Sequence, residues 1–543
     1  MKRFLVSPSL VLGSMLAMAG SVAAQTFPAP DYFRKMHYNA PAALPPPEGL
    51  SGKVVDGKLR LSLADAVQLV LANNTDVQIN RLGYEQTRNS ILRAYSAFDP
   101  LFTSTFNTNR NTSPTSSQID GAATLSTLSQ STTFNYFQGF QTGTSVNINY
   151  NASKSTTNSV FSTFNPSLFS RLNFTLNQPL LRNRWLFANR APIVIAQRGR
   201  NRSRADFDAQ VQQSLSDAIN RYWDVVQSRE DLKVLRKSLE QAEATYAQNK
   251  RALELGALPP LDIYRSESEV ATRRVSVIQA EYQLKQQEDD FRRAIGADLD
   301  PRIRVLDLDL VEPAAPAGQL LVVDPEDTLG RAMQKRPEMV SIREQLAADD
   351  TGVRLAHNNM QPDLNFSAFY SAGGLGGNQL DPSTTPPTVI SQGGFGDAFS
   401  QMGTFDFPSY GFTVQLRLPI RNRNAAANLS DAMIGQRRSQ FQFRRTEQQI
   451  LLDVRNAIHQ LEQAKLSLAA SRIARDLAQK NLEAEQRKYE LGAQTIFFVL
   501  DAQTQLAQAE QNLLRSQVGY QRVLTTLDRA TGELLERNNI RIE

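Results

Sequence analysis

The chain has 543 residues, a formal net charge of +5 at pH 7 and no cysteine. The absence of cysteine excludes disulfide bonds, thiolate metal sites and a lipid-modified cysteine at a mature N-terminus. Acidic and basic residues are interleaved along the chain, so the charge balance by itself indicates no partner.

The N-terminal segment is typical of an exported protein. Lys2 and Arg3 precede an apolar run at 10–19, and small residues at 22–24 form a cleavage site. We therefore expect a signal peptide at 1–24, followed by a proline-rich, irregular leader at 25–58. Beyond the signal no stretch of about 18 apolar residues occurs, so no membrane-spanning helix is expected, whereas barrel strands give a weaker signal and are not excluded.

The rest of the chain consists of two unequal copies of one unit. The spacing is 262 residues between Pro100 and Pro362 but 240 between Pro179 and Pro419, so the first copy has 22 extra residues between its two prolines. The tetrapeptide ELGA occurs once in each copy. We predict a first repeat at 59–300, a linker in the equatorial region at 301–325, a second repeat at 326–536 and a C-terminal tail at 537–543.

Between the two prolines of each copy, apolar residues alternate with Asn, Thr and Ser. The alternating apolar residues include Val146, Ile148, Tyr150, Leu172, Phe174 and Leu176 in the first copy and Leu364, Phe366, Tyr370, Phe412, Val414 and Leu416 in the second. This period of two fits a half-buried soluble sheet or the wall of a membrane barrel. The connections at 111–130 and 371–407, rich in Gly, Ser, Thr and Pro, are predicted to be exposed loops.

Outside these inserts the pattern is helical, with a heptad seam leading to each ELGA stretch. The seam residues are Val211, Ala218, Val225, Leu232, Leu239, Tyr246 and Leu253, and in the second copy Val454, Leu461, Leu468, Arg475, Leu482 and Tyr489. The segments at about 62–98 and 261–296 predict helices about half as long as those at about 186–254 and 424–490. One such long hairpin has too little core of its own, so we expect the seams to pack against other chains and close a tube.

This arrangement, with Asn-Asn-x-Asp at 73–76, Pro-Leu-Leu-Arg at 179–182 and the stretch YELGAQTIFFVLDAQTQL at 489–506, resembles the TolC family of outer-membrane efflux proteins. The resemblance implies a mainly α protein with a membrane β-barrel and two structural repeats per chain. A trimeric α-helical periplasmic tunnel would continue into a 12-stranded outer-membrane barrel, to which each of the three chains would contribute four strands.

The function implied by the resemblance is an exit duct in the outer membrane of a Gram-negative bacterium. It would pass substrates unchanged to the exterior from a periplasmic adaptor protein and, through the adaptor, from an inner-membrane transporter. Its other partners would be two further copies of the chain and outer-membrane lipid.

The first copy departs from the family pattern in its number of strands. It holds four strand-like pieces, at about 101–110, 132–140, 144–152 and 170–178, where the family has two. Two of them are interpreted as long barrel strands, and the hairpin at 132–152 as an extension of those strands or an outside loop.

The family resemblance assigns the two ELGA turns to adaptor docking. The matching residues are Leu255, Gly256, Ala257, Leu491, Gly492 and Ala493. A glycine that follows a long helix is expected at φ > 0, where the chain turns back. The alternative is that both glycines are helix C-caps and nothing more.

A periplasmic gate is implied just beyond these turns. Asp262 matches a family aspartate that hydrogen-bonds a tyrosine matching Tyr489, and Gln494 replaces a family arginine in the same latch. The family's two pore-lining aspartates match Phe498 and Asp501. Three copies of Asp501 around an axis would favour cations, and Phe498 would form an apolar constriction; the alternative is that both side chains pack against their own helices.

No residue pattern in the sequence indicates catalysis, a cofactor, a metal or nucleic acid. His37, His357 and His459 are scattered, no nucleotide-binding or hydrolase motif is present, and GGLGG at 373–377 precedes no helical pattern and is interpreted as a loop. The arginines at 197–204 are interpreted as a solvated helix face. The remaining alternative is an exported coiled-coil structural or adhesin-like surface protein.

Overall fold

A computed structural model describes residues 44–115, 123–255, 260–316, 318–381, 383–384 and 387–540. The predicted signal peptide and most of the predicted leader lie outside these residues. The chain divides into two compact units, Met1–Pro46 and Pro47–Glu543. Residues 44–46 of the first unit have no regular secondary structure, and the fold below is that of the second.

Two antiparallel helical hairpins, one in each copy, are the main helical elements of this unit. Their long arms are α3 (Trp185–Glu254) and α8 (Arg423–Glu490), and their short arms are α4 (Pro260–Ile295) and α9 (Ile496–Thr531). The long arms have 70 and 68 residues and the short arms 36 each, so the predicted lengths are confirmed. Within the described residues no helix is long and apolar enough to cross a membrane.

The heptad seams are buried over most of the long arms. Val211, Ala218, Val225 and Leu232 are buried in α3, as are Val454, Leu461, Leu468 and Leu482 in α8. Towards the first tip the buried side of α3 moves to Ser238, Ala242 and Asn249. In this part of the hairpin, Ser238 and Asn249 are hydrogen-bonded to side chains of α4, so the buried side of α3 is the one that faces the short arm.

The helical segment before each strand region is broken into two helices. The first copy has α1 (Leu63–Asn73) and α2 (Thr75–Tyr95), so the expectation of one continuous helix at 62–98 is wrong. Asn74 causes the break: its backbone is extended and its side chain accepts from the N–H groups of Asp76 and Val77, which starts α2. The second copy has α5 (Pro325–Lys335) and α6 (Pro337–Asn358), separated at Arg336 before a proline.

A small sheet lies beside α1 and α3. Its strands are β1 (Val54–Val55), β2 (Lys58–Leu61) and β7 (Asp307–Leu310), in the order β1-β2-β7, with β2 and β7 parallel. Leu59, Leu61, Leu308 and Leu310 are buried there. The predicted leader is therefore not irregular throughout, since its last residues form β1 and the start of β2; the alternation in KLRL fits a half-buried strand.

The strand region forms one antiparallel sheet in the order β10-β8-β6-β5-β4-β3. Its long strands are β3 (Leu101–Pro114), β4 (Thr124–Gly139), β5 (Ser145–Thr157), β6 (Phe164–Pro179), β8 (Asp363–Asp381) and β10 (Phe407–Arg417). A short strand, β9 (Thr388–Ser391), pairs with the end of β8. The hairpin at 132–152 forms two separate strands of this sheet and is not an extension of other strands, because β4 and β5 pair along their length between β3 and β6.

The glycine-rich stretch at 373–377 belongs to β8, so its interpretation as a loop is wrong. A helix that the sequence did not indicate, α7 (Phe395–Gly403), packs on the sheet here. A Cβ on Gly374 would lie 1.9 Å from the carbonyl oxygen of Ala398, and one on Gly376 would lie 2.3 Å from that of Gly394. Only glycine lets the backbone of α7 approach β8 this closely.

Candidate docking tip and gate

The tip of the second copy is a helix C-terminus closed by glycine. Helix α8 ends at Glu490, and Gly492 has φ +68°. The N–H of Ala493 donates to the carbonyl of Lys488 at 2.9 Å, and the N–H of Gly492 donates to that of Tyr489 at 2.9 Å. These two bonds form a Schellman motif, which satisfies the last carbonyls of the helix and requires a left-handed residue at this position. The expected φ > 0 is confirmed for Gly492.

Both tips expose a leucine. Leu255 is 84% exposed and Leu491 83% exposed, and a Cβ on Gly492 would meet no atom within 4 Å. Helix α3 ends at Glu254 just before Leu255, whereas Gly256 and Ala257 lie outside the described residues. Leu491 and Ala493 therefore present an uncovered, small and apolar surface.

Tyr489 is hydrogen-bonded to Asn249 rather than to Asp262. Its hydroxyl donates to Asn249 Oδ1 at 3.1 Å, and Asn249 Nδ2 donates to Ser266 Oγ at 2.7 Å. Ser266 Oγ then donates to the backbone carbonyl of Asp262 at 3.1 Å. Asn249 is fully buried, so this chain of bonds joins α8 to α3 and α4 just above the tips.

Asp262 influences Tyr489 through its charge. Burial raises the pKa of the Tyr489 hydroxyl, and the negative charge of Asp262 raises it further. Both effects keep the hydroxyl protonated, which is the state that can donate to Asn249. The side-chain groups that form these hydrogen bonds are therefore neutral. Gln494 is not among them, since its buried Oε1 atom has no hydrogen-bond partner among the described residues.

A buried arginine joins three helices slightly farther from the tips. Arg273 of α4 is 7% exposed, and its Nη1 atom donates to both the carbonyl and the hydroxyl of Ser238 in α3, each at 2.9 Å. Its Nη2 atom donates to Thr504 Oγ1 of α9 at 3.1 Å, and its Nε atom donates to Glu269 Oε1 at 2.7 Å. Five donors in a fixed planar fork allow one side chain to hold both neighbouring helices.

The two predicted pore-lining positions are exposed on α9. Phe498 is 45% exposed and packs edge-on against Phe497, with ring centroids 5.4 Å apart. Asp501 Oδ2 accepts from Gln505 Nε2 at 2.7 Å. Asp501 also lines a cleft of about 380 Å³ between α4 and α9, together with Arg265, Glu269 and Phe497. Glu269 and Thr504, two hydrogen-bond partners of Arg273, line the same cleft as Asp501.

The structure thus brings together Asp262, Tyr489 and the second tip, and it adds residues that sequence reasoning missed. Asn249, Ser266 and Arg273 gave no signal in the sequence, because none of them lies on a predicted seam and buried polar residues are recognised only through partners on other helices. Of the candidate histidines, His37 lies outside the described residues, and within these no cluster of His, Asp or Glu could hold a metal ion.

Comparison with known families decides the class of protein. The sequence matches the family described as outer membrane efflux protein over residues 143–297 and 328–533. The chain belongs to this family. It is an outer-membrane efflux channel with a long periplasmic portion, and the alternative of a coiled-coil adhesin has no support.

Solved structures of other channels share this fold. The outer-membrane channel CmeC of Campylobacter jejuni is 14% identical with TM-score 0.58, and the alignment covers 92% of this chain and 94% of CmeC. The open state of the outer-membrane channel MtrE of Neisseria gonorrhoeae is 17% identical with TM-score 0.59, covering 87% and 89%. VceC of Vibrio cholerae, an outer-membrane protein, is 14% identical with TM-score 0.60, covering 87% and 96%. Sequence comparison with curated proteins gives no match.

Proposed function

We propose that three copies of this efflux protein form one continuous duct, a periplasmic helical tunnel that opens into an outer-membrane barrel. The observation that carries this proposal is a set of apolar side chains at helical spacing that nothing covers in the single chain. On α4 they are Val275, Ile278 and Tyr282, and on α8 they are Leu466, Ile473 and Leu477, all between 48% and 72% exposed. Stripes of this kind pack against other helices, and neighbouring copies supply them.

The outer part of the duct would be a barrel made from the sheets of the three copies and surrounded by outer-membrane lipid. Twelve strands, as the family resemblance implies, would take four from each chain. The sheet of one chain has six long strands, two more than that count needs.

We assign adaptor docking to the two tips and gating to the residues beside them. Exposed Leu255 and Leu491 offer an apolar surface at the two tips, which suits a helical hairpin of a periplasmic adaptor. The adaptor in turn links the duct to an inner-membrane pump. The bonds of Asn249 and Arg273 hold α4 and α9 against the long helices, which is the closed arrangement in this proposal.

The orientation can be tested by labelling single cysteines, because the chain has none of its own. Thr388→Cys, in β9, should react with a membrane-impermeant maleimide on intact cells. Ala493→Cys, in the tip, should react only after the outer membrane has been permeabilised. Both positions are exposed in the chain, so accessibility across the membrane is the only difference measured. Reaction of Ala493→Cys in intact cells would refute the orientation.

Asp501 should contribute to ion selectivity in the reconstituted pore. Charge reversal by Asp501→Lys turns a ring of three carboxylates into a ring of three ammonium groups, so the preference for cations over anions should fall or invert. Reversal potentials in planar bilayers measure this, with Asp476→Lys, at an exposed position on α8, as the control for net charge. Unchanged selectivity would remove Asp501 from the lumen and leave Phe498 as the candidate constriction.

A further inference from the structure

The strands of the hairpin β4–β5 are long enough to span a membrane, and both are paired along their length. Its strands have 16 and 13 residues, whereas a tilted membrane strand needs about 9–11. Without a break in register, β4 pairs with β3 over 14 residue pairs and with β5 over 13, and β5 pairs with β6 over 11. A loop folded outside a barrel would not be paired on both sides along its length.

The hairpin also reaches the helical end of the sheet. Its turn, at 140–144, lies beside the ends of α2 and β6: Gln138 Nε2 donates to the carbonyl of Phe98 at 2.5 Å, and a Cβ on Gly143 would fall 2.7 Å from the carbonyl oxygen of Asn183. Its other ends, Thr124 and Thr157, lie at the opposite end of the sheet, next to the start of β6. The hairpin therefore extends over the same height as β3 and β6.

Both faces of the sheet continue through the hairpin without interruption. One row of paired residues, one from each strand in spatial order, consists of Phe102, Tyr136, Ile148, Phe174, Tyr370 and Tyr410. The next row, which points to the other face, consists of Thr103, Asn135, Asn149, Asn173, Ser371 and Ser409. The first row is apolar and the second polar in all six strands, as lipid-facing and lumen-facing rows of a barrel are.

Aromatic contacts support the same conclusion. The ring of Phe134 in β4 stacks on Phe102 of β3 at 6.0 Å and on Tyr150 of β5 at 6.2 Å, on the apolar face. Equivalent stacks join β8 to β10, between Tyr370 and Tyr410 and between Phe366 and Phe412. The hairpin thus carries the same kind of stacked aromatic pairs on its apolar face as the strands of the second copy.

We propose that the hairpin is part of the barrel wall, so that three chains close an eighteen-stranded barrel. In this barrel β3 of one chain pairs with β10 of the neighbouring chain. This inference rests on the proposed trimeric barrel. In the described residues β3 pairs only with β4 and β10 only with β8, so both outer edges offer unpaired backbone groups. The six long strands alternate in direction, so β3 and β10 at the two edges of the sheet run in opposite directions. Pairing between β3 of one chain and β10 of the next therefore continues the antiparallel pattern.

The consequence is a wider outer part of the duct. Barrel diameter grows roughly in proportion to strand number, so eighteen strands give a bore about half as wide again as twelve. The narrowest point of the duct would then lie at the periplasmic gate, and the barrel would impose no size limit of its own.

Fluorescence quenching by lipid tests the position of the hairpin. Single cysteines Ile148→Cys and Asn149→Cys in β5, with Phe174→Cys and Thr175→Cys in β6 as matched controls, would carry a small fluorophore in the full-length trimer. The trimers are reconstituted into phosphatidylcholine vesicles that contain nitroxide-labelled acyl chains. We expect labels at 148 and 174 to be quenched to the same extent, and labels at 149 and 175 to retain their fluorescence.

The controls separate the possible failures. Quenching at 174 without quenching at 148 would overturn the eighteen-stranded wall and leave a barrel of fewer strands. No quenching at 174 would overturn the lipid-exposed barrel itself, and this inference with it. If Ile148→Cys does not assemble, the same test can be made in β4 with Phe134→Cys and Thr133→Cys. We expect the label at 134 to be quenched and the label at 133 to retain its fluorescence.

Discussion

Replacing Arg273 with glutamine is expected to open the periplasmic end of the channel. One amide cannot reproduce the bonds of the guanidinium to Ser238 on α3 and Thr504 on α9. Hydrogen bonds to a charged group contribute about 1.5–3 kcal/mol each, and Glu269 loses its partner at the same time. The loss, on the order of 3 kcal/mol in each copy, falls on contacts that hold α4 and α9 together beside the cleft lined by Asp501.

The measurement is single-channel conductance in planar bilayers, together with entry of a large hydrophilic dye into cells. Both should rise several-fold for Arg273→Gln. The control is Arg274→Gln at the next position, where the arginine is exposed and forms one surface ion pair with Glu243 at 2.9 Å; such pairs contribute about 0–1 kcal/mol. Equal conductance for the two variants would show that Arg273 does not keep the gate closed.

The helices could be predicted from the sequence because their signals are local. Apolar residues at heptad spacing, followed by ELGA, placed the end of α3 at Glu254 and that of α8 at Glu490. Each signal lies within a few turns of the residue that it predicts, so distant parts of the chain do not alter it. The break at Asn74 was missed because the apolar spacing continues across it, whereas the cap depends on one side chain accepting from two N–H groups.

The sheet could be predicted strand by strand but not as a whole. The period of two found strand-like pieces in the hairpin, yet it could not say which neighbours they pair with, because pairing partners are chosen by contacts between distant residues. The sequence around Gly374 and Gly376 is interpreted as a loop for the same reason. Their function is to make room for the backbone of α7, and nothing near them in the sequence indicates that helix.

The proposed gate could be predicted from the sequence only in outline. Family resemblance located Tyr489 and Asp501, but the partner of Tyr489 is Asn249, 240 residues away. A buried asparagine and a buried arginine both need all their polar atoms matched by specific partners. Such matches are properties of the packed helices, which periodicity in one segment does not describe.

Replacing Gly492 with valine is expected to abolish export while leaving the trimer assembled. Gly492 has φ +68°, and this left-handed conformation costs a residue with a Cβ about 1–2 kcal/mol. No atom of the chain lies within 4 Å of the new Cβ, so the strain is confined to the turn. The nearest buried cluster, which includes Leu482, Ile496 and Leu500, keeps its contacts and continues to hold α8 against α9. Native gels should therefore show a normal trimer, whereas crosslinking to the adaptor and export should both be lost.

Asparagine at the same position is the matched control, because it also adds a side chain to the tip but tolerates the left-handed conformation. Gly492→Asn should keep the Schellman bonds of Gly492 and Ala493 and should retain more crosslinking and export than Gly492→Val. Loss of export in both variants would mean that the adaptor contacts the small surface at this position directly, rather than the shape of the turn. Normal export by Gly492→Val would remove the second tip from the docking surface, and the ELGA stretch at 490–493 would then be a helix C-cap only.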